Sequence, residues 1–214
     1  MNATKSICRP FLVTVLSLVA VIGVCGCGES SLVVEIEKLG GEVFDTDRNG
    51  NVAVNLGDTQ VTDAGLAVLE GRTNVDLLFL DNTQITDTGL KRLSGLTGLG
   101  LLSVTNTQIT DAGLLHLKGL TKLRLLFLSN TQVTDAGLEH LKEMTDLGRL
   151  DLGSTQITDA GLVHLKALTE LEQLELSNTK VTRDGVKSSN RHCQISPILS
   201  IECRIPFKTS PGSR

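Results

Sequence analysis

The apolar positions of this chain fall in a pattern that repeats every 24 residues. The octapeptide Thr-Gln-Val/Ile-Thr-Asp-Ala-Gly-Leu begins at Thr59, recurs at Thr83 (with Thr88 for Ala), Thr107, Thr131 and Thr155, and ends in a decayed copy at Thr179. One unit, Leu99 to Lys122, is apolar at Leu99, Leu102, Val104, Ile109, Leu114, Leu117 and Leu120. Leu102 and Val104 alternate with Leu101, Ser103 and Thr105, the period of a short strand with one face buried. Leu114, Leu117 and Leu120 recur every three residues, which suits one face of a short helix or a 3₁₀ turn. Thr110 and Asp111 stand where that helix begins: threonine is a favoured N-cap, and an acid in the first turn complements the exposed amides. Each unit therefore predicts a strand, a turn, a helix and a return. A single unit buries too little apolar surface to offset the entropy of ordering its chain, so the units must complete one another's core in a stack.

The pattern Leu99-x-x-Leu102-x-Val104-x-x-Thr107-x-Ile109 followed by Thr-Asp-Ala-Gly-Leu resembles the leucine-rich repeat family, over Val52 to about Val186. The resemblance implies an α/β leucine-rich-repeat solenoid, a right-handed αβ superhelix with a curved parallel sheet on its concave face. Threonine replaces the family's usual Asn at positions 59, 83, 107, 131, 155 and 179. The Asn ladder is thus expected to be absent, with stacked hydroxyls bridging the rungs instead. The Thr-Asp-Ala-Gly-Leu helix start is similar to bacterial surface repeat proteins and, more loosely, to eukaryotic ubiquitin-ligase receptors. Ahead of the repeats, Glu35 to Leu39 predicts a short helix, Glu42 to Phe44 a strand, and Asp47-Arg48-Asn49-Gly50 a hairpin turn, together an N-terminal cap. Beyond Val186 the register fails. There His192 to Ser196 predicts a final edge strand, and Pro197 to Arg214 a tail without repeat logic.

The first residues read as an address. Lys5 and Arg9 precede the apolar run Phe11 to Val24, which is short for a membrane span and suits a secretory signal. Val24-Cys25-Gly26-Cys27 resembles the lipobox of bacterial lipoproteins, which implies lipidation of Cys27; a plain signal peptide is the alternative. Gly28 then stands where an Asp would retain such a protein at the inner membrane, so the outer membrane is expected. The division is residues 1–26 signal, 27–51 linker and N-terminal cap, 52–186 six repeats, and 187–214 C-terminal cap and tail. Cys193 and Cys203 either close a disulfide in an oxidising compartment or remain free thiols.

Composition narrows the function. A net charge of -4 argues against nucleic-acid binding, and five Phe with no Trp or Tyr leave few stacking platforms. No nucleophile elbow, phosphate loop or HExxH is present, so no catalytic residues and no cofactor are expected. Asp45 to Gly50 matches the first half of a calcium loop, but its twelfth position is Leu56, and a turn is the better account. His116, His140 and His164 form a column about 5 Å apart, each two residues before a lysine, which reads as a solvated convex face rather than a metal site. The column Asp63, Asp87, Asp111, Asp135 and Asp159 is explained by helix capping.

Function should lie where the repeats differ. On the outer face of the sheet, Leu77, Phe79, Leu101, Leu125 and Phe127 converge into an apolar patch beside a charged stretch of Arg149, Asp151 and Glu175. The expectation is a non-catalytic, extracytoplasmic module of a bacterial envelope that holds a protein or peptide on its concave face. The membrane would be met only through the anchor or signal. Two alternatives stand beside it: a structural envelope protein that self-associates, and a ligase-type substrate receptor.

Overall fold

The computed structural model describes residues 29–192. The signal segment, Cys27, Cys193, Cys203 and the tail lie outside the described residues. The elements run α1 (Glu29–Lys38), β1 (Glu42–Asp45), β2 (Val52–Asn55), β3 (Val75–Phe79), α2 (Asp87–Leu93), β4 (Leu101–Ser103), α3 (Asp111–Leu114), β5 (Leu125–Phe127), α4 (Asp135–Leu138), β6 (Arg149–Asp151), β7 (Gln173–Glu175) and α5 (Arg183–His192). Short 3₁₀ segments, Gly65–Leu69, Leu115–Leu117, Glu139–Leu141 and Gly161–Ala167, complete or replace the helices. Among the described residues the strands form one sheet in sequence order, β1 antiparallel to β2 and every later pair parallel. From β3 on, each strand is displaced by one 24-residue unit: Leu78 lies beside Leu102, Leu102 beside Leu126, Leu126 beside Leu150. This is an α/β leucine-rich-repeat solenoid.

The core is where the two periodicities meet. Leu78, Leu102, Leu126 and Leu150 from the strands are fully buried with Leu90, Leu114 and Leu138 from the helices. Successive units share that core, which is why a unit alone should not fold. The helix of the N-terminal cap is longer than the expected Glu35 to Leu39: α1 begins at Glu29, because Leu32 and Ile36, one helical turn apart, both bury against the first repeat. At the other end the expected strand from His192 to Ser196 is not what forms at its start, since His192 is the last residue of α5.

The columns of polar residues do different work from that read in the sequence. The buried hydroxyls of Thr83, Thr107, Thr131 and Thr155 do not bridge rungs: each donates to the carbonyl three residues before it, at 2.6–2.7 Å, inside its own unit. A ladder of amides exists after all, one position earlier and on the surface. Asn82 Nδ2 donates to Asp58 Oδ1 at 2.8 Å, Asn106 to Asn82 Oδ1 at 2.8 Å, and Asn130 to Asn106 Oδ1 at 2.5 Å. Those positions have φ of 55–58°, the left-handed region that Asn and Asp tolerate best among residues with a side chain.

The aspartate column is a set of staples between units. Thr86 and Thr110 are the N-caps, accepting from the amides of Thr88 and Ala112. The aspartates that follow such threonines reach forward. Asp87 Oδ1 accepts from the Thr110 amide at 2.8 Å and Oδ2 from the Thr110 hydroxyl at 2.6 Å. Asp63 serves Thr86, Asp111 serves Thr134, Asp135 serves Thr158 and Asp159 serves Thr182 in the same way. First-turn acids do sit at the helix N-termini, but capping alone does not account for the column. From the second motif on, the glycine makes room for the carboxylate of the unit before: a Cβ on Gly89 would stand 2.5 Å from Asp63 Oδ1.

Candidate functional site

Register fixes which side chains share the outer face of the sheet. Strand residues alternate faces, so with Leu78, Leu102 and Leu126 in the core, their neighbours Leu77, Phe79, Leu101, Leu125 and Phe127 point the other way. Pairing aligns them in two rows across the strands: Leu77, Leu101, Leu125, Arg149 and Gln173, then Phe79, Ser103, Phe127, Asp151 and Glu175. Leu77, Phe79, Leu125 and Phe127 are half-buried. Leu101 is 8% exposed and Ser103 6%, although both face outward: Leu101 stands between Leu77 and Leu125, and Ser103 between Phe79 and Phe127 with its hydroxyl bonded to Asp81. The predicted patch is thus assembled, with Leu101 as its floor rather than a freely exposed contact.

One member was missed in the sequence. Phe44 on β1 pairs with Ala53, which pairs with Leu77, while its neighbour Val43 packs toward the core. Phe44 therefore extends the leucine row into the N-terminal cap, and it is 51% exposed. The signal was available: a hairpin closed by Asp47 to Gly50 sets 44 opposite 53. Every phenylalanine among the described residues, Phe44, Phe79 and Phe127, stands on this one face.

The charges beside the patch differ in their freedom. Arg149 is exposed, its guanidinium carbon 5.2 Å from the centroid of the Phe127 ring, a cation–π arrangement. Among the described residues it makes no hydrogen bond or ion pair. Asp151 accepts from the Ser129 hydroxyl and, at 2.9 Å, from the Gly153 amide. Glu175 accepts from the hydroxyl and amide of Ser177. Glu175 thus fastens the turn after its own strand, and Asp151 does so while also holding Ser129, one rung back. Asp81 does the same work across a rung, accepting from Ser103 Oγ at 2.5 Å and the Thr105 amide at 2.9 Å.

Asp47 accepts from the Asn49 amide at 2.7 Å, the Asn51 side chain at 2.8 Å, the Asn51 amide at 3.2 Å and the Asn49 side chain at 3.1 Å. The Asn49 amide first, then the Asn51 side chain, hold its carboxyl below the usual value of 3.8. That carboxylate is organising the hairpin turn. His116, His140 and His164 are half-buried rather than solvated. Among the described residues no three or more His, Cys, Asp or Glu gather as a metal site, and no helix is long and apolar enough to cross a membrane.

Comparison with known proteins follows the same lines. A family model described as a leucine-rich repeat matches residues 144–166. No curated protein matches the chain. Among solved structures it is similar to an internalin, inlF, from Listeria monocytogenes, at 26% identity and a TM-score of 0.54, covering 71% of this chain and 39% of that one. The chain thus spans well under half of that protein's length. It is also similar to internalin C2 of the same organism, at 24% identity and a TM-score of 0.41, covering 61% of this chain and 73% of that one. The stretch that the family model matches is one rung of the stapled stack, and the rungs on either side are built alike: the chain has the leucine-rich-repeat fold.

Proposed function

We propose that this chain is a non-catalytic interaction module of a bacterial envelope, holding a protein or peptide partner on the outer, concave face of its sheet. The observation that carries the reading is the assembly of Phe44, Leu77, Phe79, Leu125 and Phe127 on one sheet face, at positions where the repeats differ and the core has no claim on them. An apolar patch bordered by charge is the usual anatomy of a partner site. The repeat fold supports it, because such stacks build extended surfaces without an enclosed pocket for chemistry. Arg149, Asp151 and Glu175 form the rim. The export segment, with Cys27 as lipid anchor, and the likeness to an internalin support a place outside the cytoplasm.

The test is crosslinking in intact cells, followed by exchange of Phe79 and Phe127 for Asp. Loss of the captured partner with an unchanged circular dichroism spectrum is the expected result. Undiminished capture removes the outer face from consideration. Sedimentation of the purified chain separates partner binding from self-association, since a concentration-independent monomer excludes the latter. The mass of the mature N-terminus reports whether Cys27 is lipidated.

A further inference from the structure

The shape of the apolar face restricts what can sit on it. With Leu101 and Ser103 almost covered, a partner meets chiefly the half-buried side chains around them, spread over several strands, which suits a ridge laid across the face better than one inserted side chain. The leucine row runs across the strands from Phe44 on β1 to Leu125 on β5, four strand intervals, and the second row joins it from Phe79 on β3 to Phe127 on β5, since its β1 and β2 positions are Glu42 and Asn55. At about 4.8 Å each the intervals of the leucine row span roughly 19 Å. An α-helix repeats its ridge about every 5.4 Å, and a tilt of roughly 27° brings that spacing onto the strands. Same-side residues of an extended chain recur at about 6.7 Å and would need roughly 45°, which carries the chain off both rows within a few residues.

The end of the row adds a charge. Arg149 continues the leucine row, lies against Phe127 and has no ionic or hydrogen-bonding partner among the described residues, whereas Asp151 and Glu175 are committed to their turns. Asp151, two residues along the same strand, limits a complementary partner to a single carboxylate at this point rather than an acidic run.

We propose that the partner element is an amphipathic α-helix of about 14 residues from another protein, laid obliquely across β1 to β5, with one acidic side chain meeting Arg149. This rests on the reading of the outer sheet face as the contact surface. It goes further by committing to the secondary structure and charge of what docks there.

Two display libraries test it against the full chain: one randomises a surface face of a helix on a rigid helical scaffold, the other randomises the same number of positions in an extended loop. The expected result is binders from the helical library with apolar residues at i, i+4, i+7 and i+11 and an Asp or Glu at one end. Phe79→Asp with Phe127→Asp should weaken them about 100-fold, with Phe→Thr as the strand-compatible substitute if the Asp variants fold poorly. Arg149→Glu should weaken them about 10-fold, and exchanging the acidic residue of the binder for Lys should restore the affinity. Binders that come only from the loop library yet still depend on the phenylalanines overturn the helix and leave the face standing. Helical binders unaffected by Arg149→Glu overturn the charge assignment. Binders indifferent to both phenylalanines, or none from either library, overturn the contact face together with the helix.

Discussion

Replacing Asp111 by Ala removes a staple from the middle of the stack. Its carboxylate accepts from the Thr134 amide at 2.7 Å and the Thr134 hydroxyl at 2.6 Å, in a half-buried setting. Hydrogen bonds to a charged group contribute about 1.5–3 kcal/mol each. The two share one acceptor group and water can partly replace them, so a loss of about 2–4 kcal/mol is expected. Gly137 sits under the same carboxylate: an added Cβ would collide with Asp111 Oδ1 and lie 3.1 Å from both Asp111 Cγ and Leu114 Cδ1. Gly137→Ala alone should therefore cost about 1–2 kcal/mol, overpacking less the gain in helix propensity. In the Asp111→Ala background the obstructing carboxylate is gone and the propensity gain of roughly 1 kcal/mol remains. The double variant should then be no less stable than Asp111→Ala alone, a coupling of about 2 kcal/mol against an additivity error of about 0.5. Urea unfolding followed by far-ultraviolet circular dichroism measures all four corners of this cycle, and an unchanged slope confirms that the stack still unfolds as one unit. Additive losses would refute the argument, because they would mean that glycine is there for some reason other than the neighbouring aspartate.

Three further outcomes follow from the same geometry. Asn106→Ala should destabilise by about 1–2 kcal/mol in thermal unfolding, because φ is 56° there, and Asn106→Gly should cost less although it loses the same amide ladder; equal losses would show that backbone strain is not the cause. Leu126→Ala should cost about 2–5 kcal/mol since that side chain is fully buried, whereas Phe127→Thr next to it should leave the urea midpoint nearly unchanged; the reverse order would invert the face assignment. The bonds to Asn49 and Asn51 lower the folded pKa of Asp47 below 3.8, so their support for the hairpin is present above the ordinary carboxylate value and is lost as pH falls through the folded one. The amide resonances of Asn49 and Asn51 should titrate together below pH 3.8 and stop doing so in Asp47→Asn.

The repeat and its burial were legible because they depend on spacing alone. Leu99, Leu102, Val104, Ile109, Leu114, Leu117 and Leu120 were picked out by period and all are fully buried. The partners of the polar columns were not legible, because an aspartate that acts on its own helix and one that reaches 23 residues ahead leave the same trace in sequence. Thr107 was misread for a similar reason: a hydroxyl stacked every 24 residues can bond along the stack or back into its own turn, and the nearby carbonyl of Val104 is the closer acceptor. The outer-face patch followed from strand alternation, and the structure assembles its residues in the expected rows. Phe44 escaped since it lies in the cap, where no repeat register points to it and only the hairpin brings it alongside Ala53.

The forward reach of the aspartate staples gives the stack a direction and a rule for its length. Each joint needs a carboxylate below and a threonine above, and nothing in it refers to how many joints there are. In the decayed sixth copy the aspartate is replaced by Arg183. Excising residues 107–130 would set Asp87 beneath Thr134 and remake an ordinary joint, and duplicating them would add another. Whole-unit gain or loss is thus an edit the fold can absorb, so the width of the wall offered to a partner is set by copy number, independently of the residues chosen to decorate it.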